Sequence, residues 1–186
     1  FDIDNKKSGW ENVNDQKLDI KITEAEKKKF IKFLKNNNIY EKKYICLNLW
    51  SFEHLKKNLD WSHHNYRLSD SENYLELINY ILEKNLFVVA LGHDTKRYLN
   101  IKNKKFINYC EKRSDIFDVL LIKNCFAYIS DATGLDYLAN AFKKPMLINS
   151  PFFGFFFTHR TDIVYLVKRF YSEKKKWRSN FKRSTF

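Results

Sequence analysis

Residues 125–149 read CFAYISDATGLDYLANAFKKPMLIN, and this stretch decides the fold class. It begins with a short apolar run at 125–130, continues through a helical pattern at 134–142, and ends in a second apolar run at 146–149. Short, almost continuously apolar runs are typical of strands that are buried on both faces of a parallel sheet. The stretch therefore predicts a strand, a helix and a strand in succession, joined by a right-handed crossover.

The same alternation extends in both directions along the chain. Apolar runs rich in strand-forming residues at 44–49, 86–91 and 105–110 predict three earlier strands, and 163–167 predicts a last one. Between them lie segments with helical spacing of their apolar residues. The predicted fold class is α/β, a Rossmann-like parallel sheet with helices on both faces.

Local signals indicate where the helices begin. Thr23 and Glu26 have the spacing of a capping box and predict a helix over about 24–36, which ends at the Asn36-Asn37-Asn38 breaker. Ser69 to Glu72 predicts the cap of a second helix, and Ser114 that of a third. The predicted inward-facing residues of these two helices are Leu75, Ile78, Ile81, Leu82, Phe117, Leu120 and Leu121.

Three segments follow from this pattern. Residues 1–40 are a linker and leading helix, 41–150 form the Rossmann-like domain, and 151–186 are an aromatic and basic extension. The extension opens with the FFGFFF cluster at 152–157, and residues 168–186 hold eight Lys or Arg against one Glu. Such a tail could lie on an anionic membrane surface or on single-stranded nucleic acid, or it could be a solvated helix.

Composition limits the function classes. The 34 basic against 22 acidic residues give a net charge of +12, which favours an anionic partner such as a phosphate, and the lysines are spread along the chain without a nucleic-acid motif. No nucleic-acid partner is expected. The three cysteines lie in apolar runs without metal-ligand spacing, which predicts buried thiols in a reducing compartment. A signal peptide and a membrane-spanning stretch are not expected from this sequence, and without an initiator Met the chain is expected to be part of a longer protein.

In an open parallel sheet the ligand binds beyond the carboxyl ends of the strands, so function is sought in the loops after residues 49, 91, 110 and 130. The clearest loop is Ser130-Asp131-Ala132-Thr133-Gly134-Leu135, where small residues at a helix start let backbone N–H groups approach a phosphate. The alternative is that Asp131 or Thr133 only caps the helix.

A second candidate is His63-His64-Asn65-Tyr66-Arg67-Leu68-Ser69-Asp70. An arginine fork three residues before a capping Asp is suited to pair with a diphosphate, and the histidines are candidate hydrogen-bond donors or a general base. The alternative is a solvated loop in which Arg67 pairs with Asp70. Zinc is not expected, because no second pair of ligands stands at a suitable spacing, and Asp2-Ile3-Asp4 has only the bare form of a D-x-D motif.

As an ordered set, the motifs YICLNLW (44–50), HHNYRLSD (63–70), SDIFD (114–118), LIKNC (121–125) and SDATGLD (130–136) resemble a family of bacterial glycosyltransferases found in surface-polysaccharide gene contexts. The similarity covers roughly residues 20–150, and no single motif carries it. The resemblance implies the C-terminal, donor-binding half of a GT-B enzyme, which has two Rossmann-like domains facing a cleft and no obligatory metal ion or other cofactor.

The resemblance also implies roles for particular residues. Arg67 would neutralise the donor diphosphate, and Ser114 and Asp115 would face the nucleotide. Thr133 and Gly134 match the Ser/Thr-Gly pair that the family has at the start of its phosphate-facing helix. The remaining donor-binding candidates are His63, Tyr66, Gly92, Asp131 and Leu135, and His64 or Asp70 is the candidate base. Two departures stand out: Asn48-Leu49-Trp50 replaces a basic residue, and Asp131 places an acid beside the phosphate, so that it either points away or weakens donor binding.

The expected function is transfer of a sugar from a nucleotide sugar to a saccharide or lipid-linked acceptor, in the cytoplasm or at the inner face of the membrane, with peripheral contact through the basic tail. The alternative is a non-catalytic module that binds a nucleotide sugar or docks on an anionic membrane.

Overall fold

A computed structural model describes residues 20–40, 43–51, 60, 62–94, 96, 98, 101–150, 160–168, 171–172 and 177–178. Its strands are β1 (Tyr44–Asn48), β2 (Phe87–Leu91), β3 (Phe106–Asn108), β4 (Ala127–Ser130), β5 (Met146–Ser150) and β6 (Ile163–Val167). These six form one parallel sheet in the order β3-β2-β1-β4-β5-β6. A separate antiparallel pair joins β7 (Tyr171–Ser172) to β8 (Trp177–Arg178). The six predicted strands and their parallel arrangement are confirmed.

The described helices are α1 (Glu24–Asn36), α2 (Leu75–Glu83), α3 (Asp115–Asn124) and α4 (Asp136–Ala141), with 3-10 helices at Ser62–Arg67, Ser71–Tyr74 and Tyr109–Lys112. They cover both faces of the sheet. Tyr44 and Cys46 of β1 pack in one apolar cluster with residues of α1, α3 and α4. Ile45 and Leu47 of the same strand pack in a second cluster with α2. This alternation is what a strand buried between two helical layers requires, and it confirms the α/β class.

The predicted helix starts differ in how they are capped. Thr23 forms the predicted capping box: its Oγ1 accepts from Glu26 N at 3.2 Å, and Glu26 Oε2 accepts from Thr23 N at 2.8 Å. Ser114 occupies the N-cap position of α3 without a side-chain cap bond, and its carbonyl accepts from Asp118 N at 3.0 Å. Leu75, predicted to face inward, is 36% exposed at the first position of α2, directly after the 3-10 helix Ser71–Tyr74.

Cys46, Cys110 and Cys125 are buried and free, as predicted. Within the described ranges, no helix has the length and apolar character needed to cross a bilayer.

Gly92, directly after β2, holds a conformation that side chains rarely adopt, with φ at +110°. A Cβ there would also lie 3.2 Å from Asn48 Oδ1. We therefore expect Gly92→Ala to lower the free energy of unfolding by about 1–3 kcal/mol, measured by urea denaturation. Gly134 is the matched control, because a Cβ at that position meets nothing within 4 Å. Equal losses in the two variants would show that backbone strain at Gly92 is not the cause.

Candidate functional site

A cleft of about 190 Å³ opens at the carboxyl edge of the sheet. It lies at β1, which pairs with β2 on one side and with β4 on the other. After β1 the sheet grows first through β2 and β3 on one side, and the next strand, β4, is then added on the opposite side of β1. Ligands of open parallel sheets bind at such a reversal of strand order, because the loops diverge there and leave a crevice. The cleft is lined by Asn48, Leu49, Trp50, Ser51, Gly92, His93, Arg113, Thr133, Gly134 and Leu135.

A buried polar network forms the base of the cleft. Asn48 Nδ2 donates to Thr133 Oγ1 at 2.7 Å and to the Tyr128 hydroxyl at 3.1 Å. Thr133 in turn donates from Oγ1 and from its backbone N–H to the Asp136 carboxylate, at 2.8 and 3.1 Å. Burial raises the pKa of Asp136 to about 6, although the bonds from Thr133 oppose that rise. The Thr133 hydroxyl and N–H are therefore engaged within the protein.

Asp131 is fully buried, and its carboxylate holds three segments together. Oδ1 accepts from Ser69 Oγ at 3.0 Å, from Asn149 Nδ2 at 3.2 Å and from the Tyr74 hydroxyl. Oδ2 accepts from Trp50 N at 3.3 Å. These donors satisfy a buried charge-bearing group and draw it away from the cleft. Of the two alternatives for this acid, the structure shows the one in which it points away.

Arg67 stacks on the cleft wall. Its guanidinium carbon lies 3.7 Å from the centroid of the Trp50 ring, and Nη2 donates to the carbonyl of Ala132. Burial is the largest effect on this group and lowers the pKa of Arg67 from its ordinary value. The loop is tied down further by Lys168, whose Nζ donates to the carbonyl oxygens of Arg67 and Leu68 at 3.0 and 3.1 Å. Arg67 thus contacts the cleft through Trp50 rather than as a lining residue.

Arg113 does line the cleft, and two carboxylates orient it. Its Nε lies 2.7 Å from Asp118 Oδ2, and its Nη2 lies 2.9 Å from Asp115 Oδ1. The Arg113 side chain is 26% exposed, Asp115 is almost fully exposed and Asp118 is buried. Burial raises the pKa of Asp118 to about 6, and the adjacent guanidinium limits that rise.

The structure brings together some of the residues predicted from sequence. Gly92, Thr133, Gly134 and Leu135 meet in the cleft. Ser114 and Asp115 follow Arg113 at the start of α3. Tyr66 is 39% exposed on the 3-10 helix before the Arg67 loop.

Other predicted residues take a different role or cannot be placed. Asp70, a candidate base, accepts from Glu72 N at 3.0 Å and caps the 3-10 helix Ser71–Tyr74. The side chains of His63 and His64 lie outside the described part of the structure, as do the Asp2-Ile3-Asp4 motif and the aromatic cluster at 152–157.

Sequence reasoning did not assign six of the lining residues to the site, namely Asn48, Leu49, Trp50, Ser51, His93 and Arg113. A weak signal existed, since each follows or ends a predicted strand at the carboxyl edge. Arg113 was one of 34 basic residues, however, and nothing in its spacing distinguished it. Within the described residues, no group of three or more His, Cys, Asp or Glu is arranged to hold a metal ion.

Comparison with known proteins gives a likeness in fold. No protein-family model and no curated protein matches the sequence. The chain is similar to the solved structure of E. coli ADP-heptose LPS heptosyltransferase II, with a TM-score of 0.51 and 16% identity over 83% of this chain and 46% of that one. It also matches E. coli heptosyltransferase WaaC with ADP-2-deoxy-2-fluoro heptose, with a TM-score of 0.45 and 14% identity over 81% of this chain and 44% of that one. The chain thus spans less than half the length of either, and the first likeness identifies its Rossmann-like fold.

Proposed function

We propose that this chain is the donor-binding half of a GT-B-type glycosyltransferase, and that its cleft holds a nucleotide sugar for transfer to a saccharide or lipid-linked acceptor. The observation that carries the proposal is the position of the cleft at the β1/β4 reversal, where α/β sheets bind nucleotides. The fold shared with a heptosyltransferase is consistent with this use of the cleft.

Three features of the lining suit a donor diphosphate. Arg113 contributes a permanent positive charge, and His93 and Ser51 contribute polar side chains. Gly134 leaves open space, because a Cβ on it would have no neighbour within 4 Å. In transfer, positive groups at this position would stabilise the charge that develops on the leaving diphosphate. The proposal requires no metal ion and no other cofactor, and a cytoplasmic location follows from it as a further expectation.

Gly134→Ala tests the cleft assignment without disturbing the fold. Because the added methyl meets open space, the unliganded variant should be as stable as the wild type or slightly more so. The methyl should crowd a bound diphosphate and weaken binding about tenfold or more, a change of about 1.4 kcal/mol or greater. The measurement is a thermal-shift titration with UDP-, GDP-, ADP- and CMP-sugars, with and without Mn²⁺.

The outcomes separate clearly. Wild-type protein should gain about 2.7 kcal/mol at a donor concentration 100-fold above Kd. Absence of a shift with every donor would contradict the proposal, and an unchanged affinity in Gly134→Ala would move the donor out of this cleft. Binding without transfer to any saccharide or lipid-linked acceptor would favour the alternative, a non-catalytic binding module.

A further inference from the structure

The cleft contains one fixed cation among its described lining residues, and that residue is Arg113. Arg67, the more conspicuous arginine from its sequence context, is not a lining residue: its Nη2 bonds the Ala132 carbonyl, and its guanidinium lies over the Trp50 ring. A dianionic ligand in the cleft would therefore meet Arg113 first. The question is whether the geometry of Arg113 leaves donors free for such a ligand.

The two carboxylates contact two of the three nitrogens of the guanidinium. Nε lies against Asp118 and Nη2 against Asp115. A guanidinium has five N–H groups in a planar fork, and its Nη1/Nη2 edge can bond two oxygens of a phosphate. In the described part of the chain, Nη1 has no acceptor, and the side chain that carries it is partly exposed at the cleft. The N–H groups of Nη1 and the second N–H of Nη2 are therefore the donors that Arg113 can offer to a ligand.

Asp118 provides the rigid part of this support. It is 1% exposed, its Oδ2 accepts from Arg113 Nε at 2.7 Å, and its Oδ1 is buried without a partner among the described residues. A buried ion pair contributes little net stability compared with a well-packed apolar pair, since desolvation offsets the attraction. Stability alone therefore does not account for this arrangement, whereas fixing a guanidinium at a ligand site does.

We propose that Arg113 binds the diphosphate of the nucleotide sugar through its Nη1/Nη2 edge, and that Asp118 is the positioning residue that holds it there. This assignment rests on the proposed function. It assigns the pairing with the diphosphate to Arg113 instead of Arg67. Arg67 then has a structural role, in which it contacts the Ala132 carbonyl and the Trp50 ring beside the cleft.

The first experiment compares wild type with Arg113→Ala and Arg113→Lys by calorimetric titration at constant ionic strength. The probes are UDP-glucose, GDP-mannose, ADP-glucose and inorganic pyrophosphate. Arg113→Ala should weaken binding of the preferred probe at least tenfold. The affinity of Arg113→Lys should lie between those of wild type and Arg113→Ala, because lysine keeps the charge but loses the planar fork of N–H donors. Lys32→Ala, on the exposed face of α1, removes the same charge outside the cleft and should bind as the wild type does.

This inference and the proposed function fail in different ways. If wild type binds a nucleotide sugar and Arg113→Ala binds it equally well, the assignment of Arg113 is overturned while the function stands. If wild type binds pyrophosphate through Arg113 but binds no nucleotide sugar, the anion-binding role of Arg113 stands and the proposed function is overturned. If it binds neither, both are overturned.

The second experiment tests Asp118 through the pH profile of binding. The diphosphate of a nucleotide sugar is a diester whose charge does not change between pH 5 and 8, so a change in affinity reports on the protein. Asp118, with a pKa of about 6, should lose its hold on Arg113 as it is protonated, and wild-type affinity should fall below that pH. Asp118→Asn should bind weakly at all pH values and show a smaller drop.

The groups around Asp118 determine the controls. Arg113 and Asp115 flank it, while Tyr109, Cys110 and Cys46 lie nearby with pKa values raised by burial, and so stay neutral in this range. His93 also lines the cleft, so the comparison is repeated in the His93→Gln background, which removes the imidazole. A flat wild-type profile, or an Asp118→Asn profile equal to that of wild type, would overturn the positioning role. The first outcome needs no variant, so the test holds even if Asp118→Asn does not fold.

Discussion

Replacing Asp131 with alanine is expected to lower the free energy of unfolding by on the order of 4 kcal/mol. The carboxylate accepts hydrogen bonds from Ser69, Tyr74, Asn149 and the Trp50 backbone, so its removal takes one acceptor from each of these donors. Asn149 keeps its contacts with Ser69 and the Tyr74 hydroxyl. Each unsatisfied buried donor costs about 1–3 kcal/mol, and partial rearrangement limits the total. For a chain of this size the loss corresponds to a Tm lower by about 8–16 °C.

The measurement is thermal and urea unfolding of Asp131→Ala beside Asp70→Ala. Asp70 is an exposed acid on the same connection and caps a single 3-10 turn, so its loss should cost about 1 kcal/mol or less. Amide hydrogen exchange should also accelerate in residues 62–74 of Asp131→Ala, because the carboxylate anchors that segment to the sheet. Similar stability in the two variants would contradict the role of Asp131 as the buried anchor.

The stability of wild-type protein is expected to fall as the pH rises from about 4 to above 6, with Asp136 contributing up to about 3 kcal/mol. Burial raises the pKa of Asp136 in the folded state to about 6, from an ordinary value of 3.8 that applies to the unfolded chain. The folded state therefore binds the proton more tightly, so this contribution is fully present below the unfolded pKa. It is lost as the pH rises through the folded pKa.

Asp136→Asn isolates this contribution. The amide cannot ionise, so the difference in stability between wild type and variant should shrink by up to about 3 kcal/mol between pH 4 and 7. Asp118 has a similarly raised pKa and gives a trend of the same sign, but it is present in both proteins and cancels in the subtraction. A difference that stays constant from pH 4 to 7 would show that Asp136 does not titrate as its burial requires.

The strands and helices were predictable because their signals are local. Leu86 to Leu91 and Tyr44 to Leu49 are apolar runs whose only stable setting is the interior of a sheet, and Thr23 with Glu26 specifies a helix start within four residues. The site was predictable only as a set of loops. Gly92, Thr133, Gly134 and Leu135 lie in the cleft at the carboxyl edge, an edge that follows from parallel strands, and their role in donor binding stays a prediction.

The roles of the charged residues were not predictable in the same way. Arg67 and Arg113 are both basic residues a few positions before a helix start, yet one lies over the Trp50 ring and the other lines the cleft. Asp131 and Asp136 lie five residues apart, and one joins three segments while the other accepts from Thr133 beneath the cleft. Partners such as Asn149 for Asp131 are remote in sequence, so no local pattern indicates them.

For this protein, the order of apolar runs, breakers and capping residues determined a parallel α/β sheet and the edge at which the proposed site lies, because these properties depend on neighbours within a few positions along the chain. Tertiary structure alone decided which side chains reach the cleft and which are bonded away from it. That choice depends on burial and on hydrogen-bond partners from distant segments, since a charged group becomes available to a ligand only where the rest of the fold leaves its donors unsatisfied.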